Sequence, residues 1–232
     1  MPMDHRSATA RFIILSLTLS MICTVSAFSH DAGQPRLEVF TRDNTPWVAE
    51  DAVGLRYTGP LDMKLAQDLA QLFDSNTMPI RHVVLELDSE GGELSTVAAI
   101  IRTLKSLGKD VELTTRVMGG ATCGSGCIAV FMQGQKRKAS GASVWVFHGA
   151  CSAGSNVPSL SATQSYLDLL EESGVKTDFT CKLVQEGYVT RPGAWIISGH
   201  ELFHIHDANI ITELIPAWQP EEPFGLHLTE PR

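Results

Sequence analysis

Basic residues are few and scattered in this chain. Eighteen Lys and Arg stand against 26 Asp and Glu, giving a formal net charge of −8. Nucleic-acid binding is excluded on that count, because a phosphate-binding surface needs concentrated Lys and Arg. Charged residues make up only 19% and hydrophobic ones 44%, which argues against disorder and against a coiled coil. There is no internal repeat and no linker to a second domain. One domain of about 200 residues is therefore expected, large enough to bury a core without obligatory staples. Past the N-terminus no segment is apolar enough to span a bilayer.

The N-terminus reads as a targeting segment. Arg6 and Arg11 precede an apolar run from Phe12 to about Val25, and Val25-Ser26-Ala27 puts small residues where a signal peptidase cuts. Ser16, Thr18 and Ser20 interrupt the run, which falls short of the ~20 residues of a spanning helix. Residues 1–27 are expected to be a cleaved signal peptide and 28–232 the mature domain, in the periplasm or secreted. An uncleaved anchor is the rival reading. A lipoprotein fits less well, because Cys23 follows Ser20-Met21-Ile22 rather than a Leu-small-small triplet. Removing two Arg and one Asp takes the charge to −9.

Cysteine is scarce as well. One of five lies in the leader, leaving Cys123, Cys127, Cys151 and Cys181. An even number in an exported chain suggests disulfides. Cys123 and Cys127 are four apart, a spacing one helical turn can close, so Cys123–Cys127 and Cys151–Cys181 are the expected pairs.

Strands alternate with helices along the rest. Strands are expected over 36–41, 55–57, 83–87, 111–117 and 141–147, with another near Ile210-Ile211. A helix capped by Asp62 carries Leu65, Leu69, Leu72 and Phe73 on one face. Further helices are expected over 95–107, 162–173 and 176–187, in the apolar stretch Ile128 to Met132, and from Ser198. A loop rich in Ser, Gly and Pro runs over 152–161. This order implies an α/β fold with a mostly parallel sheet flanked by helices.

Three short features carry chemical potential. Gly91-Gly92 lies between a strand and a helix, where glycine lets backbone N–H groups approach a ligand. Ser125 stands between Gly124 and Gly126 before an apolar helix, a place from which a hydroxyl can be presented beside a helical N–H. It lacks the G-x-S-x-G pattern, since Cys123 and Cys127 flank it. His148 ends a strand, followed by Gly149. Each alone is ordinary: a tight turn, a helix cap, a structural histidine.

Their order resembles the proteolytic subunit of the Clp protease, ClpP, in the ClpP/crotonase superfamily. Leu87-Asp88-Ser89-Glu90-Gly91-Gly92 is similar to that family's S-P-G-G segment. It is followed by helix, strand, small-Ser-small, strand and His, with Ser125 and His148 23 residues apart. Gly134 and Lys136-Arg137-Lys138 fall where the family has a Gly and basic residues. Tyr57-Thr58-Gly59-Pro60 resembles its G-P-I segment, and Ser198-Gly199-His200-Glu201-Leu202 its S-A-x-E-A helix. The resemblance spans roughly residues 53–213.

It implies repeated β-β-α units in a single domain, Ser125 as nucleophile, His148 as general base, and an oxyanion hole from the N–H groups of Gly92 and Gly126. The implied activity is an ATP-independent serine peptidase acting on peptide or protein, with no cofactor and no ATP-dependent unfoldase; a homo-oligomer is an open possibility. The crotonase branch acts on acyl-CoA, which an exported protein would not normally meet. One departure is plain: the family's third catalytic residue, an acid, aligns with Ala194, and Arg191, Pro192 and Gly193 supply no carboxylate. Asp178, Glu186 or Glu201 are the candidate substitutes. Loss of the acid leaves an inactive binding or assembly protein as the alternative.

Two metal readings compete. His200-Glu201-Leu202-Phe203-His204 spells H-E-x-x-H, which on a helix sets two imidazoles on one face. Its metzincin continuation is absent, with Asp207 and Ile210 where Gly and His belong, and Glu221 or Glu222 would be third ligands only from a Pro-rich tail. Cys123, Cys127, His148 and Cys151 are the ligands of a possible structural zinc.

Overall fold

The computed structural model describes residues 34–45, 48–75, 80–151 and 157–216. The expected signal peptide, residues 152–156 of the Ser/Gly/Pro-rich loop and the Glu221-Glu222 tail lie outside them. The described residues belong to one unit, Ala32–Arg232. Among them no helix is long and apolar enough to cross a membrane.

The fold is mixed α/β with a mostly parallel sheet. Strands β1 (Arg36–Phe40), β2 (Ala52–Thr58), β3 (His82–Asp88), β4 (Glu112–Val117), β6 (Lys136–Ser140) and β9 (Glu213–Ile215) lie in that order across a six-stranded sheet. Only β1 runs antiparallel to its neighbour. Strands β5 (Thr122–Gly124), β7 (Val144–Phe147) and β8 (Trp195–Ser198) make a second, three-stranded sheet, β7–β8 being antiparallel. The helices are α1 (Met63–Ser75), α2 (Leu94–Lys105), α3 (Gly126–Phe131), α4 (Leu160–Glu172), α5 (Thr177–Gln185) and α6 (Gly199–His204).

Hydrophobic periodicity explains the layers. Alternate residues of β2 and β3 (Val53, Leu55, Tyr57; Val83, Leu85, Leu87) form one core with Leu65 and Leu69 of α1 and Val97 and Ile100 of α2. Each fully buried Leu, Ile or Val contributes about 1.5–3 kcal/mol relative to exposure. Asp62 accepts the Leu65 N–H at 2.9 Å and starts α1. The opposite face carries a charged row in register, Glu38, Arg56, Glu86, Arg116, Lys138 and Glu213. Ion pairs run along it, Arg56–Glu86 at 2.8 Å and Lys138–Glu213 at 3.0 Å. A one-residue slip would drive this row into the core, so the charges oppose misregister.

Past β2, β3, β4 and β6 the chain leaves the large sheet for a second layer before turning into a helix. After β2, Leu61 bridges Gly92; after β3, Ser89 bridges Cys123; β4 is followed by β5, and β6 by β7. The three segments bearing Gly92, Ser125 and His148 thereby end side by side.

Strands β5, β6 and β8 are not among the expected elements. The expected strand 141–147 is in fact a turn followed by β7, with β6 just before it. Three basic residues hide β6: Arg137 spends its guanidinium on the carbonyls of Ile210 (2.8 Å) and Asn209 (3.0 Å), and Lys138 pairs with Glu213. The last strand forms at 213–215 rather than at Ile210-Ile211, which sit buried before it.

Candidate active site

Ser125 occupies a sharp strand-to-helix turn, between β5 and the first residue of α3. Its φ of 50° and ψ of −126° put a non-glycine residue in a region L side chains rarely adopt, at a cost of about 1–3 kcal/mol. The surroundings hold it there. The Ser125 N–H donates to Val146 O at 2.9 Å. The Ser125 carbonyl accepts from the Ile128 N–H at 3.0 Å and from the Tyr166 hydroxyl at 3.2 Å. A disulfide joins Cys123 to Cys127, Cα atoms 5.3 Å apart, both residues fully buried. The turn is an elbow without the elbow sequence. Gly124 and Gly126, adjacent to the serine, supply the close approach: a Cβ on Gly126 would lie 2.4 Å from Val97 Cγ2.

The Gly91-Gly92 turn packs directly against this elbow. Gly91 has φ +104°, and a Cβ there would lie 2.7 Å from Gly124 O, 2.9 Å from Ser125 Cβ and 3.0 Å from Gly126 N. On its other side Leu61 N–H bonds Gly91 O at 2.8 Å. Ser89 N–H to Thr122 O (2.7 Å) and Gly124 N–H to Ser89 O (2.9 Å) lock the two segments. Among the described residues neither Gly92 N–H nor Gly126 N–H has an acceptor. The first amides of any helix lack internal partners; Gly126 is distinctive in also being buried.

His148 follows β7. Because Gly124 pairs with Val146, Ser125 and His148 leave the ends of adjacent strands. His148 Nδ1 lies 2.8 Å from Gly149 O. A carbonyl only accepts, so the proton sits on Nδ1 and Nε2 is left as the acceptor. Gly149 itself is immobilised: a Cβ there would meet Val189 O at 2.2 Å and Pro158 Cβ at 2.6 Å. The Ala150 N–H donates to Thr163 Oγ1 at 3.0 Å. The Ser125 hydroxyl and His148 Nε2 are not hydrogen-bonded to one another.

The acid position is answered by strand register. Phe147 pairs with Trp195 in the antiparallel β7–β8 ladder, so continuing it one residue sets His148 opposite Ala194, an exposed methyl. Trp195 anchors this edge by stacking on Tyr188, centroids 4.3 Å apart. Asp178, Glu186 and Glu201 are all exposed, and no ion pair joins His148 to any described carboxylate.

The H-E-x-x-H segment does other work. Ser198 caps α6, and Glu201 reaches back to accept the Ser198 N–H at 2.9 Å and its hydroxyl at 2.7 Å, a closed capping box. Those hydrogen bonds hold the Glu201 carboxyl below the usual carboxylate range, despite full exposure. His200 and His204 rings lie 4.4 Å apart, and no group of three metal-ligating side chains forms among the described residues. The four-ligand zinc set is likewise dispersed, since Cys123 and Cys127 are bonded to each other.

The expected Cys151–Cys181 bridge is corrected: both thiols are free and exposed. Cys181 sits on the solvent face of α5, whose other face buries Phe179, Thr180 and Leu183. Cys151 instead turns its thiol toward Gly149 O at 3.5 Å. No family model matches the chain, and a search of curated proteins returned no match to it.

Proposed function

We propose that the protein is an exported, ClpP-like serine hydrolase that cleaves peptides without ATP, using Ser125 and His148 without a third carboxylate. The observation that carries this reading is Ser125 itself, held at φ 50° in a strand–helix elbow against Gly91. Backbone strain of this kind persists where the surroundings over-determine it, and clusters at reactive sites. The arrangement supports acyl transfer to water. His148 Nε2 takes the hydroxyl proton as Ser125 Oγ attacks the scissile carbonyl. The Gly92 and Gly126 N–H groups receive the developing oxyanion. His148 then returns the proton to the leaving amine, and water repeats the sequence on the acyl-enzyme.

Gly149 O replaces part of what a carboxylate does. It fixes the tautomer and aims the ring, but a carbonyl dipole stabilises imidazolium less than a full negative charge. The rate is therefore expected to be low, and without an ATP-dependent unfoldase the expected substrates are small or unfolded. A ClpP-like fold retained for binding is the second reading, favoured by Ala194 opposite His148.

A fluorophosphonate probe separates the readings. The serine hydrolase labels as wild type, fails to label as Ser125→Ala, and labels more slowly as His148→Ala. A chelator leaves labelling unchanged. No label with peptide still bound favours the binding protein. Activity lost to chelation and to Glu201→Gln returns the zinc reading.

A further inference from the structure

We infer that Tyr166 is a positioning residue for the oxyanion hole, acting through the peptide bond between Ser125 and Gly126. The inference rests on the serine-hydrolase reading above. Tyr166 lies on α4, its side chain 1% exposed in the core, and its hydroxyl donates to the Ser125 carbonyl at 3.2 Å. Burial pushes its ionisation well above the ordinary tyrosine value, so it remains a protonated donor throughout the working pH range.

The orientation of one peptide plane decides where the Gly126 N–H points. A trans peptide is flat, with C=O and N–H directed oppositely. Holding Ser125 O toward Tyr166 therefore directs the Gly126 N–H away from the core. The competing state is a flip of this one plane. It would carry Ser125 ψ from −126° to +54° while φ stays at 50°, which is the left-handed helical well, less strained for a non-glycine residue. In that state the Gly126 N–H points inward and the oxyanion loses a donor. The flip relieves Ser125 and turns Gly126 φ by about 180°, which glycine tolerates; the two donors on Ser125 O, Tyr166 Oη–H and Ile128 N–H, oppose it. Two hydrogen bonds to one carbonyl also polarise the amide and strengthen its N–H as a donor. Thr163, one turn earlier on the same face of α4, holds the Ala150 N–H beyond His148. One helix face thus touches both halves of the site.

The test is Tyr166→Phe, which keeps the ring and deletes the donor. The expected result is fluorophosphonate labelling about tenfold slower, a part of the 10²–10³ that losing a whole oxyanion donor costs. The midpoint of its pH profile stays fixed, because His148 is untouched. The control is Thr115→Val, which removes a buried hydroxyl bonded to Phe131 O at the other end of α3; it lowers thermal stability and leaves labelling at the wild-type rate. The ¹⁵N shift of the Gly126 amide, assigned in wild type and in Tyr166→Phe, reads the plane directly and should move by more than the amides around it. Wild-type labelling unaltered in Tyr166→Phe, or an unmoved Gly126 amide, overturns the role of Tyr166 alone. A wild type that does not label, with Ser125→Ala indistinguishable from it, overturns the hydrolase reading and this role with it.

Discussion

Continuing the β7–β8 register one step past Phe147–Trp195 sets Ala194 opposite His148, with a methyl where a carboxylate would accept the Nδ1–H hydrogen bond. Residues directly opposed on antiparallel strands have Cβ atoms about 4.5–5.5 Å apart, so Asp at 194 can reach the ring in place of Gly149 O. Serine proteases lose about 10⁴ in kcat when this carboxylate becomes an amide. Ala194→Asp should raise the labelling rate of Ser125 at least tenfold, and Ala194→Asn should not; equal rates for all three would show that Gly149 O already supplies what is needed. Gly91 is the converse case, a residue that tolerates no side chain. At φ +104°, with Gly124 O 2.7 Å and Ser125 Cβ 2.9 Å from any added methyl, Gly91→Ala should abolish labelling and cost about 1–3 kcal/mol from backbone strain alone, measured by urea unfolding. At this scale the sequence was informative about placement: Gly91 lies in a tight turn, Ser125 at a strand–helix junction and His148 just past a strand end, as their neighbours in the chain suggest, and Ala194 precedes β8 without a carboxylate. Tyr166 was not legible, because a tyrosine at a core position of a helix gives no sign of where its hydroxyl will end.

Helix α6 shows how one element settles a motif. Its six residues spell two histidines around a glutamate, yet Glu201 closes a capping box on Ser198. A carboxyl whose folded-state pKa is depressed stabilises the fold at pH above its unfolded value. That stabilisation is lost as pH falls through the folded value. Glu201→Ala should therefore lower the unfolding midpoint at neutral pH, and the gap to wild type should close in acid. A gap independent of pH would mean the loss is one of helix propensity, not of the charged cap. The elements that escaped prediction escaped for related reasons. Strand β6 is masked by Lys136, Arg137 and Lys138, whose charges are satisfied by loop carbonyls and by partners on neighbouring strands, Glu112 and Glu213. Strands β5 and β8 are three and four residues long, too short for alternation to register. The amphipathic helices α1, α4 and α5, the first two capped by Asp62 and Ser159, came out within a few residues of their positions.

Taken whole, the molecule brings together segments from distant parts of the chain by leaving the large sheet repeatedly for the small one. Gly92, Ser125 and His148 are separated by tens of residues, and the parallel order β2-β3-β4-β6 with the β5–β7 pairing makes them neighbours. The α/β class was legible from alternation alone; the second sheet was not, since its strands β5, β7 and β8 are only three or four residues long and the segments beside them join by single bridges, Leu61–Gly92 and Ser89–Cys123. On the proposed function, this convergence makes Ser125 nucleophilic. The most direct measurement is peptide mapping by mass spectrometry of the folded protein after fluorophosphonate treatment. One adduct per chain is expected, on the peptide bearing Ser125, slow to form, absent after heat denaturation and absent in Ser125→Ala. An adduct on another serine that persists in Ser125→Ala, or no adduct at all after prolonged incubation, would contradict it.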